Sequence, residues 1–235
     1  MKNIIIITVL GWTFLHASSL LKEGEYSWFN GGSSAYLKIS KKKNNIYSFS
    51  GDALYGIGRK YGPNMGEIVF EEVVKNGKLV YKYNEQDKDS DYVFFLEMRK
   101  DGSFDVSEKG FPPFGMNVSM SGHFTSENKP SFSCAKVSTF IEHAICDNGS
   151  IARLDRNMAR SYEELRRALL RKSFTEKQNV SDVFDATLKK EQRMWMKSRD
   201  KCEHNKTYVL CLKKSYKTHI KKLDSAFSKV WDYSK

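Results

Sequence analysis

The sequence predicts an α+β chain of two domains, a β domain followed by a disulfide-stapled helical bundle. In the first half, short runs of β-branched and aromatic residues alternate with turn residues, as in antiparallel sheets. In the second half, apolar residues recur at steps of three and four, the spacing of one helix face. All four cysteines lie in that second half. A length of 235 residues suits one large or two small domains, and the change of pattern favours two.

Residues 1–19 have the pattern of a signal peptide. Lys2 is a short positive region, residues 4–15 form an apolar core, and residues 17–19 offer the small side chains of a cleavage site. The apolar run of about 12 residues is shorter than the roughly 20 that span a bilayer, and an uncleaved anchor is the alternative. No cysteine follows the core to serve as a lipid attachment site. We expect cleavage after Ser19 and a periplasmic or secreted protein without a transmembrane segment.

The positive charge of the chain is concentrated in its second half. Residues 20–129 contain 15 Lys and Arg and 15 Asp and Glu, whereas residues 130–235 contain 23 and 13, a net charge of +10. A basic domain attracts anions such as nucleic acid, acidic lipid headgroups, anionic cell-wall polymers and acidic proteins. Because export removes nucleic acid from this set, we expect an envelope protein, an anionic lipid surface or a wall polymer as the partner.

Residues 20–129 are predicted to form an antiparallel meander of about six to eight strands. Asn76-Gly77 and Asp101-Gly102 each predict a β-hairpin, because both dipeptides tolerate the positive φ angles of a type I′ turn. Open sheet edges invite pairing with other chains, so we expect closure into a small barrel or a sandwich. The hairpins join residues 68–70 to 79–83 and residues 92–98 to 103–106, and further strands are predicted at residues 35–39, 46–49 and 115–124.

Residues 130–235 are predicted to form a small antiparallel helical bundle. A polar segment at residues 125–133, which contains Pro130, marks the boundary, and we place it after residue 129. Ser181 is predicted to cap the second of three long helices, and a short helical turn is predicted at residues 139–144. The apolar stripes include Ile151, Leu154, Met158, Tyr162, Leu165 and Leu169, then Leu188, Gln192 and Trp195, then Leu212, Tyr216, Ile220, Leu223, Phe227 and Val230.

The cysteines form two close pairs in sequence, Cys134 with Cys146 and Cys202 with Cys211. Four cysteines allow three pairings, and we favour these two disulfides because each would fasten one helix junction. Small exported domains commonly gain stability in this way. The alternative is zinc held by the cysteines and neighbouring histidines, but the spacings match no standard zinc finger.

An ordered string of cysteine, aromatic and charged residues runs through the second half. Its members are Cys134, Cys146, Leu154, Asp155, Tyr162, Gln192, Arg193, Trp195, Arg199, Asp200, Cys202, Cys211 and Leu212. This order resembles the exported lysozyme-inhibitor domain family of the LprI type, once described only as a domain of unknown function, here preceded by a small β domain. The resemblance covers residues 130–223. It implies a binding protein that blocks lysozyme by inserting a loop or a helix face into the substrate cleft.

The residues of this motif also have a structural interpretation. Tyr162 and Trp195 lie on apolar helix faces and are predicted to belong to the core. Arg199 and Asp200 are predicted to form an ion pair at a helix end, and Gln192 a hydrogen bond between helices. We therefore predict that the motif residues stabilise the domain. They are Leu154, Asp155, Tyr162, Gln192, Trp195, Arg199, Asp200 and Leu212.

The sequence favours a binding protein over an enzyme, with no cofactor and no metal. It contains neither a Gly-x-Ser-x-Gly nor a His-Glu-x-x-His signature, and Glu163 and Glu164 are adjacent on a helix and so point apart. Charge opposes the simplest lysozyme inhibitor, because common animal lysozymes are strongly basic and a +10 domain would repel them over a Debye length of about 8 Å. Contacts through the neutral β domain would still allow inhibition.

The alternative function is a basic envelope-surface module that binds anionic lipid or wall polymer without catalysis. The first long helix carries arginines largely on the faces away from its apolar stripe, and these predict a basic face. Such binding should weaken steeply with added salt. The residues of the basic face are Arg153, Arg156, Arg160, Arg166 and Arg167.

Two short motifs remain outside these functions. Glu203-His204-Asn205-Lys206-Thr207 fits the acidic-extended N-glycosylation sequon of some bacteria, and a Cys202–Cys211 disulfide would place it on the enclosed turn. Residues 121–124 are similar to the Ser-Gly loop of the β-barrel periplasmic inhibitors of c-type lysozyme, with Phe124 in place of their Tyr. For these residues a plain strand end is the favoured interpretation.

Overall fold

The computed structural model describes residues 21–57, 63–83, 91–175 and 180–232, without the side chains of residues 172–184 and 231–232. The predicted signal peptide lies outside the described residues. The described strands fall within residues 24–126, here called the barrel, and the helices within residues 134–232, here called the helical region. The α+β class predicted from the sequence is confirmed, whereas the boundary placed after residue 129 stays a prediction.

The described residues of the barrel form one antiparallel sheet of eight strands that curls into a nearly closed barrel. Its order is β4-β3-β2-β1-β8-β7-β6-β5, so every strand pairs with its neighbours in sequence except at the seam between β4 and β5. Strand β8 pairs with β1 and joins the two halves of the meander. The strands are β1 Gly24–Phe29, β2 Ser33–Lys41, β3 Ile46–Tyr55, β4 Asn64–Val73, β5 Lys78–Lys82, β6 Val93–Met98, β7 Phe104–Lys109 and β8 Gly122–Ser126.

The hairpin predicted at Asn76-Gly77 is wrong beyond its turn. Both residues have the positive φ that a type I′ turn requires, and Lys75 and Lys78 exchange two backbone hydrogen bonds of 2.9 Å. Beyond this single bridge, β4 pairs with β3 and β5 pairs with β6. The turn therefore joins the two edge strands of the seam, where the rings of Phe70 and Tyr81 stack with centroids 4.0 Å apart.

The hairpin at Asp101-Gly102 is confirmed, because β6 and β7 pair directly across it. The strands predicted near residues 35–39 and 46–49 are present as the longer β2 and β3. The strand predicted at residues 115–124 is wrong for residues 115–121, and only Gly122 onward joins the sheet. Asn117 adopts a positive φ of 63°, and Val118 and Met120 turn into the barrel core from this irregular segment. Strand β1 was not predicted.

Alternating side chains fill the barrel interior. Along β2, for example, Ala35, Leu37 and Ile39 are buried while their neighbours are more exposed, as expected for a strand with one face on a core. Phe114 closes one end by lying against the backbone of Gly66, where a Cβ atom would come within 2.6 Å of its ring. The aromatic residues of the barrel with essentially no exposed surface are Tyr47, Phe49, Tyr92, Phe94, Phe104 and Phe124.

The described part of the helical region forms four α-helices and two short 3-10 helices. The first helix begins at a capping box, in which the Thr139 hydroxyl accepts from the Glu142 backbone and the Glu142 carboxylate accepts from that of Thr139. Ser181 lies inside the third helix rather than before it, because that helix begins at Val180. The helices are α1 Phe140–Cys146, α2 Gly149–Thr175, α3 Val180–Asp200 and α4 Tyr208–Asp232, with 3-10 turns at Cys134–Lys136 and Lys201–His204.

Both predicted disulfides are confirmed, Cys134–Cys146 and Cys202–Cys211. The first ties the entry 3-10 turn to the end of α1, and the second ties the turn after α3 to the start of α4. The helices share a second hydrophobic core around Ile145, Leu212 and Tyr216, separate from the barrel core. Across the helices that the structure describes, none combines the length and the apolar character needed to cross a membrane.

Candidate functional site

Helix α2 lies with its arginines against the barrel. Arg153 makes a 2.6 Å ion pair with Glu25 of β1 and also donates to the side chain of Asn128. One and two turns further along, Arg156 and Arg160 reach the same strand. Arginines at these steps share one helix face, so most of the predicted basic face is directed at the barrel rather than at solvent.

The centre of this interface is a buried cluster of opposite charges. Arg156 and Arg160 both lie 3.3 Å from Oε1 of Glu127, and the side chains of Arg156 and Glu127 are only 7% exposed. The Ser27 hydroxyl donates to Glu127, and the backbone carbonyl of Ser27 accepts a 2.7 Å hydrogen bond from Arg156. Phe29 lies beneath both guanidinium groups. Burial lowers the pKa of Arg156, and the Glu127 carboxylate opposes this effect.

The remaining arginines of α2 extend or leave this interface. Arg171 donates a 2.5 Å hydrogen bond to the carbonyl oxygen of Ile57, and Arg167 lies over Gly31 in the turn between β1 and β2. Arg166 points elsewhere and forms a 2.7 Å ion pair with Asp185 of α3. Of the five residues predicted as a basic face, Arg153, Arg156, Arg160 and Arg167 thus contact the barrel.

Four polar residues hold the helical region together at Tyr216 of α4. The Tyr216 hydroxyl donates to Oδ1 of the buried Asp155 at 2.8 Å and accepts from Arg199 at 3.0 Å. Oδ2 of Asp155 accepts from the backbone and hydroxyl of Ser131, which fixes the segment that enters the helical region. Arg199 also binds Asp200, as predicted. Burial, followed by the Asp155 carboxylate, raises the pKa of Tyr216.

A stacked Trp195–His219 pair lies beside this network. The two rings are nearly parallel, with centroids 4.2 Å apart. Trp195 donates to the hydroxyl of Ser215, and Nε2 of His219 donates to Oε1 of Gln192 at 2.7 Å, which is the predicted hydrogen bond between helices. Burial, with a smaller contribution from Lys222, lowers the pKa of His219 to about 4, so its ring is neutral at neutral pH.

The other motif residues pack without polar contacts to this network. Leu212 is fully buried in the helical core, and Leu154 and Tyr162 pack against that core while partly exposed. Burial raises the pKa of Tyr162. The structure therefore gathers Asp155, Gln192, Trp195, Arg199 and Asp200 around α4, and leaves Leu154, Tyr162 and Leu212 as packing residues.

An open groove of about 870 Å³ runs between α3 and α4, and we call it the α3–α4 groove. The edge of the Trp195–His219 pair and the Cys202–Cys211 disulfide line it. Met194 on the α3 wall and Leu210 on the α4 wall are exposed to 54% and 68%. Lys214, Lys222 and Glu191 add charge, and Lys222 and Glu191 form a 2.9 Å ion pair. Such a surface can bind an apolar side chain and a nearby anion.

Several reactive groups of this groove already have partners. All four cysteines are in disulfides, so the groove offers no thiolate as nucleophile or metal ligand. The proton of His219 Nε2 is engaged by Gln192. Among residues 21–57, 63–83, 91–175 and 180–232, no cluster of three or more His, Cys, Asp or Glu side chains is arranged to hold a metal ion.

Sequence reasoning missed the roles of His219, Met194 and Leu210. A signal for the latter two was present, because both are large apolar residues that lie off the apolar stripes of their helices. His219 carries no such local signal, because its ring partners come from α3. Residues 121–124, which are similar to a Ser-Gly inhibitor loop, do not form an exposed loop. Ser121 donates to Glu108, and Gly122 packs on Trp28 at the start of β8.

Comparison of the chain with protein-family models, with curated proteins and with solved structures found no match. The resemblance to the LprI-type family therefore stays a prediction that rests on the residues of the motif.

Proposed function

We propose that this chain is an exported, non-catalytic binding protein and that the α3–α4 groove is its ligand-binding surface. The proposal includes a signal peptide at residues 1–19 and a periplasmic or secreted location, with which the two disulfides are compatible because disulfides persist in oxidising compartments. It also includes an antiparallel bundle formed by the four helices and stapled by the disulfides. The core that these helices share supports that arrangement.

The observation that carries the proposal is that the exposed side chains of Met194 on α3 and Leu210 on α4 line the same groove. Covering a large apolar side chain that is half exposed or more is worth about 1 to 2 kcal/mol. The Trp195–His219 pair lines the same groove and is held in place by hydrogen bonds to Ser215 and Gln192. A ligand therefore meets a preformed surface and loses little energy in ordering it.

Charge around the groove indicates the chemistry of the ligand. Lys214 lies on the wall of the groove, whereas the charge of Lys222 is balanced by Glu191. The helical half has a net charge of +10, which attracts an anionic partner. The groove thus suits a protein segment that presents one or two apolar side chains next to a carboxylate.

A lysozyme is the partner that the family resemblance suggests, and inhibition would follow if the bound enzyme's substrate cleft were covered. The positive helical region would repel a strongly basic lysozyme as it approaches. At physiological salt this repulsion acts over a Debye length of about 8 Å. Inhibition of such an enzyme would have to come from short-range contacts. A less basic lysozyme is the better candidate.

The test is a turbidity assay with purified, unglycosylated mature protein and c-, g- and i-type lysozymes. We expect inhibition of at least one type, and at least a tenfold loss of potency for Met194→Glu and Leu210→Glu. Met116→Glu is the matched control, because Met116 is 78% exposed on the barrel and far from the groove in sequence. If no lysozyme type is inhibited at micromolar excess, the lysozyme proposal is wrong. If Met116→Glu loses as much potency as the groove variants, the α3–α4 groove is not the binding surface.

A second candidate function, attachment to an anionic lipid or wall surface, is favoured by one observation. Lys214, Lys217 and Lys221 are exposed on α4, at steps of three and four residues that share a face. The arginines of α2 are poorly placed for this role, because most of them contact the barrel. The lysines of α4 would instead carry the attachment.

Sedimentation with anionic vesicles or purified cell wall tests this second function. Binding should fall steeply between about 50 mM and about 500 mM salt and should be weakened by Lys217→Glu with Lys221→Glu. Arg193→Glu with Lys197→Glu, at two exposed residues of α3, changes the net charge by the same amount and serves as the control. Binding that does not change with salt concentration, or that is absent at low salt, would contradict attachment to an anionic surface.

A further inference from the structure

We propose that Asn205 is an N-glycosylation site and that its glycan comes from a polyprenyl-diphosphate-linked oligosaccharide. The proposal does not rest on the binding function above. It requires only that the chain reach the compartment where such transfer takes place. It begins from four Asn-x-Ser/Thr triplets in the sequence, which start at Asn117, Asn148, Asn179 and Asn205.

The segment around Asn205 is presented to solvent. All five residues from Glu203 to Thr207 are exposed, and they link the 3-10 turn at Lys201–His204 to the start of α4. Asn205 itself is extended, with φ −96° and ψ 128°. The Cys202–Cys211 disulfide closes this segment into a short projecting turn. A transferase can therefore reach the asparagine in the folded protein.

Hydrogen bonds hold the Asn205 amide in a reactive orientation. Oδ1 of Asn205 accepts from both the backbone N–H and the hydroxyl of Thr207, each at 2.9 Å. These bonds engage the oxygen end of the amide and leave Nδ2 as the end for reaction. Donation to Oδ1 also stabilises the negative charge that builds on that oxygen as the nitrogen loses a proton.

The transfer step balances without a redox partner. Nδ2 of Asn205 forms a bond to C1 of the first sugar, and the bond from C1 to the diphosphate oxygen breaks. Nδ2 releases one proton, and the polyprenyl diphosphate leaves with the bonding electron pair. A base of the oligosaccharyltransferase accepts that proton, so this chain contributes only the acceptor amide and the hydroxyl of Thr207.

The other triplets are less suited. Asn117 is followed by the buried Val118, and the hydroxyl of Ser119 donates to Glu108 instead of to the asparagine. Asn179 lies outside the described residues. Asn148 is the closest match, because Ser150 donates to its Oδ1 at 2.7 Å.

Asn148 nevertheless differs from Asn205 in two ways. It is half-buried, and its Oδ1 and backbone carbonyl accept from the first turn of α2. The residue two positions before it is the disulfide-bonded Cys146, whereas Asn205 has the carboxylate of Glu203 there. Asn148 therefore makes a matched control with the same hydroxyl-to-amide contact and a different setting.

The experiment treats the folded, disulfide-intact protein with a purified bacterial oligosaccharyltransferase and a polyprenyl-diphosphate oligosaccharide of known mass. Intact-mass spectrometry should show one added glycan on the wild type and on Asn148→Gln. Asn205→Gln and Thr207→Ala should show no added glycan. Thr207→Ser, which keeps a hydroxyl, should be glycosylated like the wild type. Glu203→Gln should lower the yield of glycosylated protein at least tenfold. Unchanged urea midpoints for the variants at the exposed Glu203, Asn205 and Thr207 would show that these variants are folded.

Three outcomes would overturn the proposal. The wild type could gain no glycan, the product could persist in Asn205→Gln, or transfer could require reduction of the disulfides. The last result would mean that the folded turn is not the acceptor. None of them bears on the lysozyme assay, since that assay uses unglycosylated protein. The glycan would border the α3–α4 groove, because Asn205 and Thr207 line one part of it.

Discussion

At the residue scale, Asp155 explains why distant parts of the motif occur together. Its two carboxylate oxygens accept hydrogen bonds from Tyr216 on α4 and from Ser131 in the entry segment. The Tyr216 hydroxyl in turn accepts a hydrogen bond from Arg199. A carboxylate that is 2% exposed is tolerable because each oxygen has a hydrogen-bond donor. One acidic side chain thus orders three segments of the helical region.

Asp155→Ala should lower the free energy of unfolding by about 1 to 3 kcal/mol, because it leaves the buried Tyr216 hydroxyl without its acceptor. Urea unfolding followed by far-UV circular dichroism measures the change. Asp224→Ala on the exposed side of α4 is the control and should stay within about 0.5 kcal/mol of the wild type. Equal effects of the two substitutions would contradict the role given to Asp155.

His219 should make stability fall on mild acidification. Its pKa is lowered from 6.5 to about 4, so between these values the unfolded chain binds a proton that the folded chain does not. Stability is therefore full above pH 6.5 and declines as the pH is lowered towards 4, by about 1 to 3 kcal/mol in total. Urea midpoints measured at half-unit steps should show this slope.

The slope should flatten in His219→Gln, which keeps a donor for Gln192 but does not titrate. His204→Gln, at a site where the histidine side chain is 80% exposed, should leave the slope as it is in the wild type. A slope that survives in His219→Gln would assign the acid sensitivity to other groups.

At the element scale, α2 serves two different surfaces. Its arginines at steps of three, four and seven residues contact β1, the turn after it and Ile57 beyond β3, while Ile151, Met158 and Leu165 enter the helical core. A helix can do both because side chains at these two sets of positions leave the axis in different directions. The helix is therefore the element that joins the two cores.

Removing the Cys202–Cys211 disulfide should destabilise the protein by about 3 kcal/mol, because a short closed loop restricts the unfolded chain. The double substitution to Ser should also raise amide hydrogen exchange in residues 201–212, at the end of the α3–α4 groove. The same change at Cys134 and Cys146 should cost a similar amount but leave that exchange unchanged. Unaltered exchange in the first variant would contradict a role for the disulfide in shaping the groove.

At the scale of the whole molecule, charge complementarity places the helical region on the barrel. The barrel half is neutral overall, yet Glu25 and Glu127 lie where the arginines of α2 arrive. A buried ion pair contributes little relative to an apolar pair but makes misdocking costly, since one charge left alone would be buried without a partner. The cluster therefore fixes the orientation of the two halves.

Glu127→Ala should lower the free energy of unfolding by about 3 to 5 kcal/mol, because it leaves two arginines facing each other in a buried site. The measurement is urea unfolding followed by fluorescence, with Trp28 reporting from the barrel and Trp195 and Trp231 from the helical region. Glu97→Ala, which breaks an exposed ion pair with Lys78, should cost no more than about 1 kcal/mol. A loss in Glu127→Ala as small as in this control would show that the cluster does not hold the halves together.

Local signals in the sequence were sufficient for much of the fold. The apolar steps of three and four residues predicted the long helices, Asp101-Gly102 predicted its hairpin, and the spacing of the cysteines predicted both disulfides. These features depend on residues close together in the chain. The strand predicted at residues 115–124 is wrong before Gly122, because the apolar residues of that part pack an irregular segment onto the barrel core. An alternating pattern of apolar residues looks the same in such a segment as in a strand.

The sequence by itself determined the α+β class, the order of strands before helices and the excess of positive charge in the second half, and it favoured the disulfide pairs that the structure contains. Only the tertiary structure decided where that charge goes, because Ser27 and Arg156 meet across a sequence separation of 129. It also decided that β4 and β5 part after one bridge and that Met194 and Leu210 face one groove. Periodicity specifies which residues share a face of an element, whereas the partner of that face depends on packing between distant segments.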